Sequence, residues 1–105
     1  MDPNRRRTQI LKEMAGIGRM EKGRVTEEYR ERVQDGKALR TGPYYKHQRW
    51  ENGRNVSRRV PLAQADQLCV DVEQYHRFEE LAKEYAEITI AMTRADYAPD
   101  AKKKP

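Results

Sequence analysis

From Leu62 onward the chain contains no glycine or proline until Pro99. Pro61 stands just ahead of this run, where a residue without an N–H and with a fixed φ suits the first turn of a helix. Within the run, Leu68, Val72, Tyr75, Phe78, Leu81, Tyr85, Ile88 and Met92 recur at steps of three and four. That spacing draws one apolar stripe along a helix over about residues 62–96, roughly 50 Å long at 1.5 Å per residue. A three-stranded sheet with strands of about seven residues spans only some 20–25 Å. The rest of the chain must therefore cover the stripe or leave part of it to another molecule.

The remaining sequence is short. With 105 residues, 36% apolar and 37% charged, the chain has room for a single small domain, residues 1–98, with a thin core. Arg5-Arg6-Arg7 opens a short helical pattern over about 5–17, with Ile10, Leu11, Met14 and Ile17 on one face, ended by Gly16 and Gly18. Residues 24–33 fit a strand, with Val25, Tyr29 and Val33 on one side. The same three residues are also spaced for a helix, but Gly23 and Asp35-Gly36 at the ends favour the strand. Gln34 to Gly42 is expected to be a loop. The predicted class is α+β: a short N-terminal helix, a three-stranded antiparallel sheet, then one long C-terminal helix.

The sheet and first helix can cover the start of the apolar stripe. Its distal row, Leu81, Tyr85, Ile88 and Met92, has no evident partner within the chain. Either the long helix breaks and folds back, or it packs on another chain. The near-heptad spacing favours a coiled-coil-like homodimer, with Glu80, Lys83, Glu84 and Glu87 toward the rim or solvent. Residues 99–105, which include Lys102-Lys103-Lys104, read as a disordered basic tail.

Pro43 to Pro61 carries the chemistry. Asn52-Gly53 is a strong hairpin signal and predicts strands over about 44–50 and 54–60. A two-residue turn there sets Trp50 opposite Asn55, Gln48 opposite Ser57 and Lys46 opposite Arg59. One face then presents Tyr44, Lys46, Gln48, Trp50, Asn55, Ser57 and Arg59. The other presents Tyr45, His47, Arg49, Val56, Arg58 and Val60, and its valines should turn it toward the helix, with Tyr45, Val56 and Val60 in the core. A slip of one residue would exchange the faces.

Cations, amides and rings interleaved on one ribbon match the requirements of a nucleic-acid surface. Arg forks onto guanine, Gln and Asn pair with adenine, Lys neutralises phosphate, and rings pack on sugars or unpaired bases. The competing explanation is that edge strands carry Lys and Arg to discourage aggregation. Charge distribution leans toward contact: residues 1–59 have a balance of +8 and residues 60–105 one of −3. Arg5, Arg6 and Arg7, with Arg19, Lys22 and Arg24, add to the basic half, the first three as a flexible arm.

Little points to catalysis. His47 and His76 lie apart without metal-ligand spacing, and Glu27-Glu28 and Glu79-Glu80 are better suited to a solvated surface than to an acid–base pair. Gly16-Ile17-Gly18 does not follow a strand as a phosphate loop would. The expectation is no enzyme, no cofactor and no metal site. Cys69, on the apolar side of the helical pattern, is a small core residue, and its being alone excludes an internal disulfide. Without a signal peptide or an apolar span of membrane length, the chain is expected to be cytoplasmic and to have no membrane partner.

The chain resembles a small bacterial domain family of unknown function often encoded beside transposases and other mobile-element genes. The likeness rests on Met20-Glu21-Lys22-Gly23, Gly42-Pro43-Tyr44-Tyr45, Asn52-Gly53-Arg54, Val60-Pro61 and Tyr75-His76-Arg77-Phe78, spanning about residues 14–95. It implies association with a mobile element and a transposase or recombinase partner, but no catalytic residues. The strand order is also similar, in topology alone, to small DNA-binding domains of some phage-type integrases and plant transcription factors. The expected function is a DNA-binding accessory protein that contacts duplex DNA through the hairpin. The alternative is an adaptor that docks a partner through the long helix.

Overall fold

The computed structural model describes residues 2–97; the expected basic tail lies outside them. The elements follow the order α1 (Pro3–Gly16), β1 (Arg24–Gln34), β2 (Lys37–Glu51), β3 (Arg54–Val60) and α2 (Leu62–Tyr97). The strands form one antiparallel sheet in the order β1-β2-β3. The α+β class and element order are those expected from sequence. Two compact units are present: residues up to Gly18 with those from His76 onward, and Arg19–Tyr75.

In the first unit, α1 begins two residues earlier than the arginine run suggests. The Asp2 carboxylate accepts the Asn4 N–H at 3.0 Å and Pro3 occupies the first turn, an N-terminal cap written in Asp-Pro. The helix ends at Gly16, where the Ile17 N–H donates to the Met14 carbonyl. Glu13 pairs with Arg77, and Arg6 pairs with Glu84, so α1 runs antiparallel to the distal half of α2. Ile10 and Leu81 lie between these two bridges and are both fully buried. This corrects the expectation that the distal row lacks a partner within the chain. Leu81 is a core residue, because α1 reaches back along the stripe.

In the second unit, the inner face of the sheet meets the first turns of α2. Val60, Ala65 and Val72 are buried there, and so is His47, at 0% exposure. The face is the one chosen by the valines, but its centre differs: His47 is more deeply buried than Tyr45 or Val56. A carbonyl can only accept, so His47 Nε2 donates to the Lys22 carbonyl at 2.8 Å. Glu21 N–H donates to the Asp71 carbonyl at 2.9 Å, and Gly23 brings its backbone against the Gln48 carbonyl. Residues 21–23 thereby tie β2 to α2. A Cβ on Gly23 would stand 2.1 Å from the Gln48 oxygen, and its φ of +99° is one that side-chain-bearing residues avoid.

The expected loop at Gln34 to Gly42 is instead a tight turn and seven residues of strand. Asp35 and Gly36, both at positive φ, form a two-residue hairpin turn, and β2 begins at Lys37. An irregularity at Gly42-Pro43 sets two residues of β2 against Tyr29, after which pairing continues to the turn. Pairing with β3 stops at Tyr45–Val60, so this part of β1–β2 is a two-stranded ribbon. Val33 is 78% exposed and Tyr29 44% exposed, so two of the three residues expected to share one side of β1 lie outside the core.

Candidate nucleic-acid interface

The β2–β3 register sets Trp50 opposite Asn55, Gln48 opposite Ser57 and Lys46 opposite Arg59, as the Asn52-Gly53 turn requires. Asn52 and Gly53 both have positive φ, the backbone of a type I′ turn whose twist matches the strands. With His47 and Val60 buried on the inner face, parity directs Tyr44, Lys46, Gln48, Trp50, Asn55, Ser57 and Arg59 to the outer one. Trp50 is 66% exposed, and Asn55, Ser57 and Arg59 are exposed; Tyr44, Lys46 and Gln48, on the central strand, are half-buried.

Strand β1 completes this face. Arg24 lies opposite Gln48, Thr26 opposite Lys46 and Glu28 opposite Tyr44. Beyond the irregularity Arg30 pairs with Thr41, Arg32 with Leu39 and Gln34 with Lys37. Arg30 stacks on Tyr44 at 5.0 Å, which fixes it on the same side. The outer face therefore runs from the sheet out along the ribbon, carrying Arg24, Arg30, Arg32, Lys37, Lys46 and Arg59 against a single carboxylate, Glu28. That carboxylate holds Lys46 at 3.1 Å. On the opposite side of the ribbon Arg40 stacks on Tyr29, with Glu31 as its cross-strand neighbour.

The two aromatic rings of the outer face are not equivalent. Tyr44 has the Arg59 guanidinium at 4.2 Å and the Arg30 guanidinium at 5.0 Å from its ring centre. The neighbouring Thr41 hydroxyl, followed by the Arg59 and Arg30 charges, holds the Tyr44 phenol below its ordinary pKa. Its ring is engaged within the chain, whereas that of Trp50 is open to a sugar or base.

The remaining expected cations are largely committed elsewhere. Arg6 grips Glu84 at 2.5 and 2.7 Å; Arg7 donates to Thr89 and Asn4 and stacks on Tyr85 at 5.4 Å. Both sit in a capped helix rather than a flexible arm, leaving Arg5 as the exposed member of the three. Arg19 makes a two-pronged bridge to Asp71 at 2.9 and 2.8 Å, and with Gln67 it pulls the Asp71 carboxyl below the usual range. Lys22 lies 3.9 Å from Glu51. Apart from the short-range contacts of Arg7 with Asn4 and of Gln67 with Asp71, these pairings join residues far apart in the chain, so sequence position could not reveal them.

No protein-family model, curated protein or solved structure matches this chain. Among the described residues no helix is long and apolar enough to cross a membrane, and no group of three or more His, Cys, Asp or Glu side chains converges. Cys69, half-buried beside the sheet-facing turns of α2, is a free thiol.

Proposed function

We propose that this protein binds nucleic acid, duplex DNA in particular, through the outer face of its sheet. The observation that carries the reading is the segregation of side chains by the β2–β3 register. The inner face is committed to the core, and the outer one collects cations, two amides and an open indole. A small twisted sheet is of a size to enter the major groove of DNA. Lys46, Arg59 and Arg24 suit phosphates, Gln48 and Asn55 suit base edges, and Trp50 suits a sugar or an exposed base. An accessory role beside a transposase or recombinase rests on the sequence resemblance alone.

The test is a binding series with duplex, single-stranded and RNA probes at two salt concentrations. Affinity for duplex DNA should fall steeply as salt rises, in proportion to the phosphates neutralised. Alanine at both Lys46 and Arg59 should weaken binding to every sequence and flatten the salt dependence, whereas changing Gln48 or Asn55 should relax sequence preference. Parent-like binding by the double variant would remove the sheet face from consideration.

A second reading has its own observation. Ile88 and Met92, with Ala91 and Ala95, line an open groove of about 610 Å³ beside Pro3, Arg6 and Glu84. This apolar row suits a partner helix, a second copy of the chain in the first instance. It assigns the protein an adaptor role, alone or combined with DNA binding. Of the expected interface residues Leu81 drops out, because α1 buries it; Tyr85, Ile88 and Met92 are half-buried.

A further inference from the structure

The outer face contains one place where cations are held in advance of any ligand. Arg30 comes from β1 and Arg59 from β3, the strands on the two sides of β2, and both guanidinium groups lie against the Tyr44 ring. Neither forms an ion pair among the described residues. Beside them is a cleft of about 110 Å³ lined by Arg30, Arg59, Lys46, Ser57, Tyr44 and Glu28. Its single carboxylate is already neutralised by Lys46. A guanidinium stacked on a ring keeps its N–H edge free and loses much of its rotational freedom, so less order is lost when it forks onto an oxyanion.

We infer that Arg30, Arg59 and Ser57, arranged around Tyr44, form a seat for one backbone phosphodiester of the bound nucleic acid. Arg30 and Arg59 donate to the non-bridging oxygens, and the Ser57 hydroxyl supplies a third donor from the cleft wall. Tyr44 is a positioning residue: it touches the guanidinium groups and not the phosphate. The seat lies where the three-stranded part of the sheet gives way to the ribbon, so it fixes how far along the strand axis the duplex docks. This inference rests on the nucleic-acid reading above and adds Arg30, which the hairpin alone does not include.

The experiment compares the full-length chain with Y44F, Y44L, R30A, R59A and R32A by fluorescence anisotropy on a short duplex across a salt series. Thermal unfolding of each variant supplies the control for folding. Y44F keeps the ring and should bind like the parent. Y44L keeps every charge yet should lose affinity several-fold. R30A and R59A should each lose roughly tenfold, as expected for a charge-assisted hydrogen bond. R32A removes the same charge from the same face without touching the ring, and should lose less than either.

The decisive measurement replaces single phosphates of the duplex by neutral methylphosphonates. At one position the substitution should weaken the parent but leave R30A/R59A unaffected. If Y44L folds and binds like the parent, or no phosphate position couples to the two arginines, the seat is refuted although DNA binding stands. If the parent itself fails to bind any nucleic acid, the underlying reading fails and the seat falls with it. Tighter binding of a phosphorylated peptide than of duplex DNA at these residues would overturn the assignment to a nucleic-acid backbone.

Discussion

Replacing Leu81 by alanine should undo the helix pair rather than a dimer. Leu81 and Ile10 are the two buried apolar residues of that unit among the described residues, and both have 0% exposure. With so small a core there is no neighbouring mass of side chains to collapse into the space left behind. Leu→Ala at fully buried sites costs about 2–5 kcal/mol, the upper part of the range applying where the surroundings relax least. Total stabilities are about 5–15 kcal/mol, so the loss is a large share of what holds α1 in place. For a chain of this size it corresponds to a fall of at least about 8 °C in the unfolding midpoint.

Because two compact units are present, a single transition need not describe the whole chain, and local measurements are more telling. Hydrogen exchange should show lost protection across α1 in L81A, while the β2–β3 amides stay protected. Thermal unfolding by circular dichroism gives the midpoint on the same samples. If L81A melts within about 1 °C of the parent, well inside the shift that such a cavity implies, and instead converts a dimer to a monomer, the intrachain burial of Leu81 is wrong.

Gly23→Ala should destabilise the sheet by more than Gly36→Ala. The first would drive a Cβ into the Gln48 carbonyl at 2.1 Å, whereas the second meets nothing within 4 Å and bears only the strain of positive φ, about 1–2 kcal/mol. Urea midpoints of the two variants check the order. Acid should weaken the fold: Asp71, Glu13 and Glu84 are held below ordinary carboxylate values chiefly by hydrogen bonds from Arg19, Arg77 and Arg6. Their contribution is fully present above the unfolded-state pKa, about 4, and is lost as pH falls through the depressed folded values. The unfolding midpoint should be flat from about pH 7 to 5 and then decline, with a shallower decline in Asp71→Asn. Analytical ultracentrifugation should find a dimer at high micromolar concentration that Ile88→Glu converts to monomer without loss of helicity. A parent chain that sediments as a clean monomer would leave the groove without its proposed occupant.

The long helix and the hairpin were legible because their signals are local. Thirty-six residues, Leu62–Tyr97, form α2 as the spacing of Leu68 through Met92 requires. Asn52-Gly53 fixes its own turn and thereby every cross-strand pair from Glu51–Arg54 to Tyr45–Val60. Asp35-Gly36 carries equally readable turn chemistry, but Lys37 to Gly42 has only Ala38 and Leu39 as aliphatic residues, so no alternation marked a strand. That ribbon is supported by backbone pairing with β1, not by a buried face.

What the tertiary structure alone decided was which surface meets which. A helix stripe announces that it must be covered, but the partner is named by geometry. Here α1 lies antiparallel to the distal half of α2, buries Leu81 and takes Arg6 and Arg7 out of the free cationic pool. Likewise a strand's parity separates two faces without saying which residue will be deepest. His47 became the centre of the inner face because the Lys22 carbonyl, delivered by the turn at Gly23, satisfies its Nε2. Arg30 joined Tyr44 and Arg59 only once β1 was laid beside β2. Periodicity and turn residues act over a few positions, whereas burial and ion pairing depend on residues up to 82 positions apart.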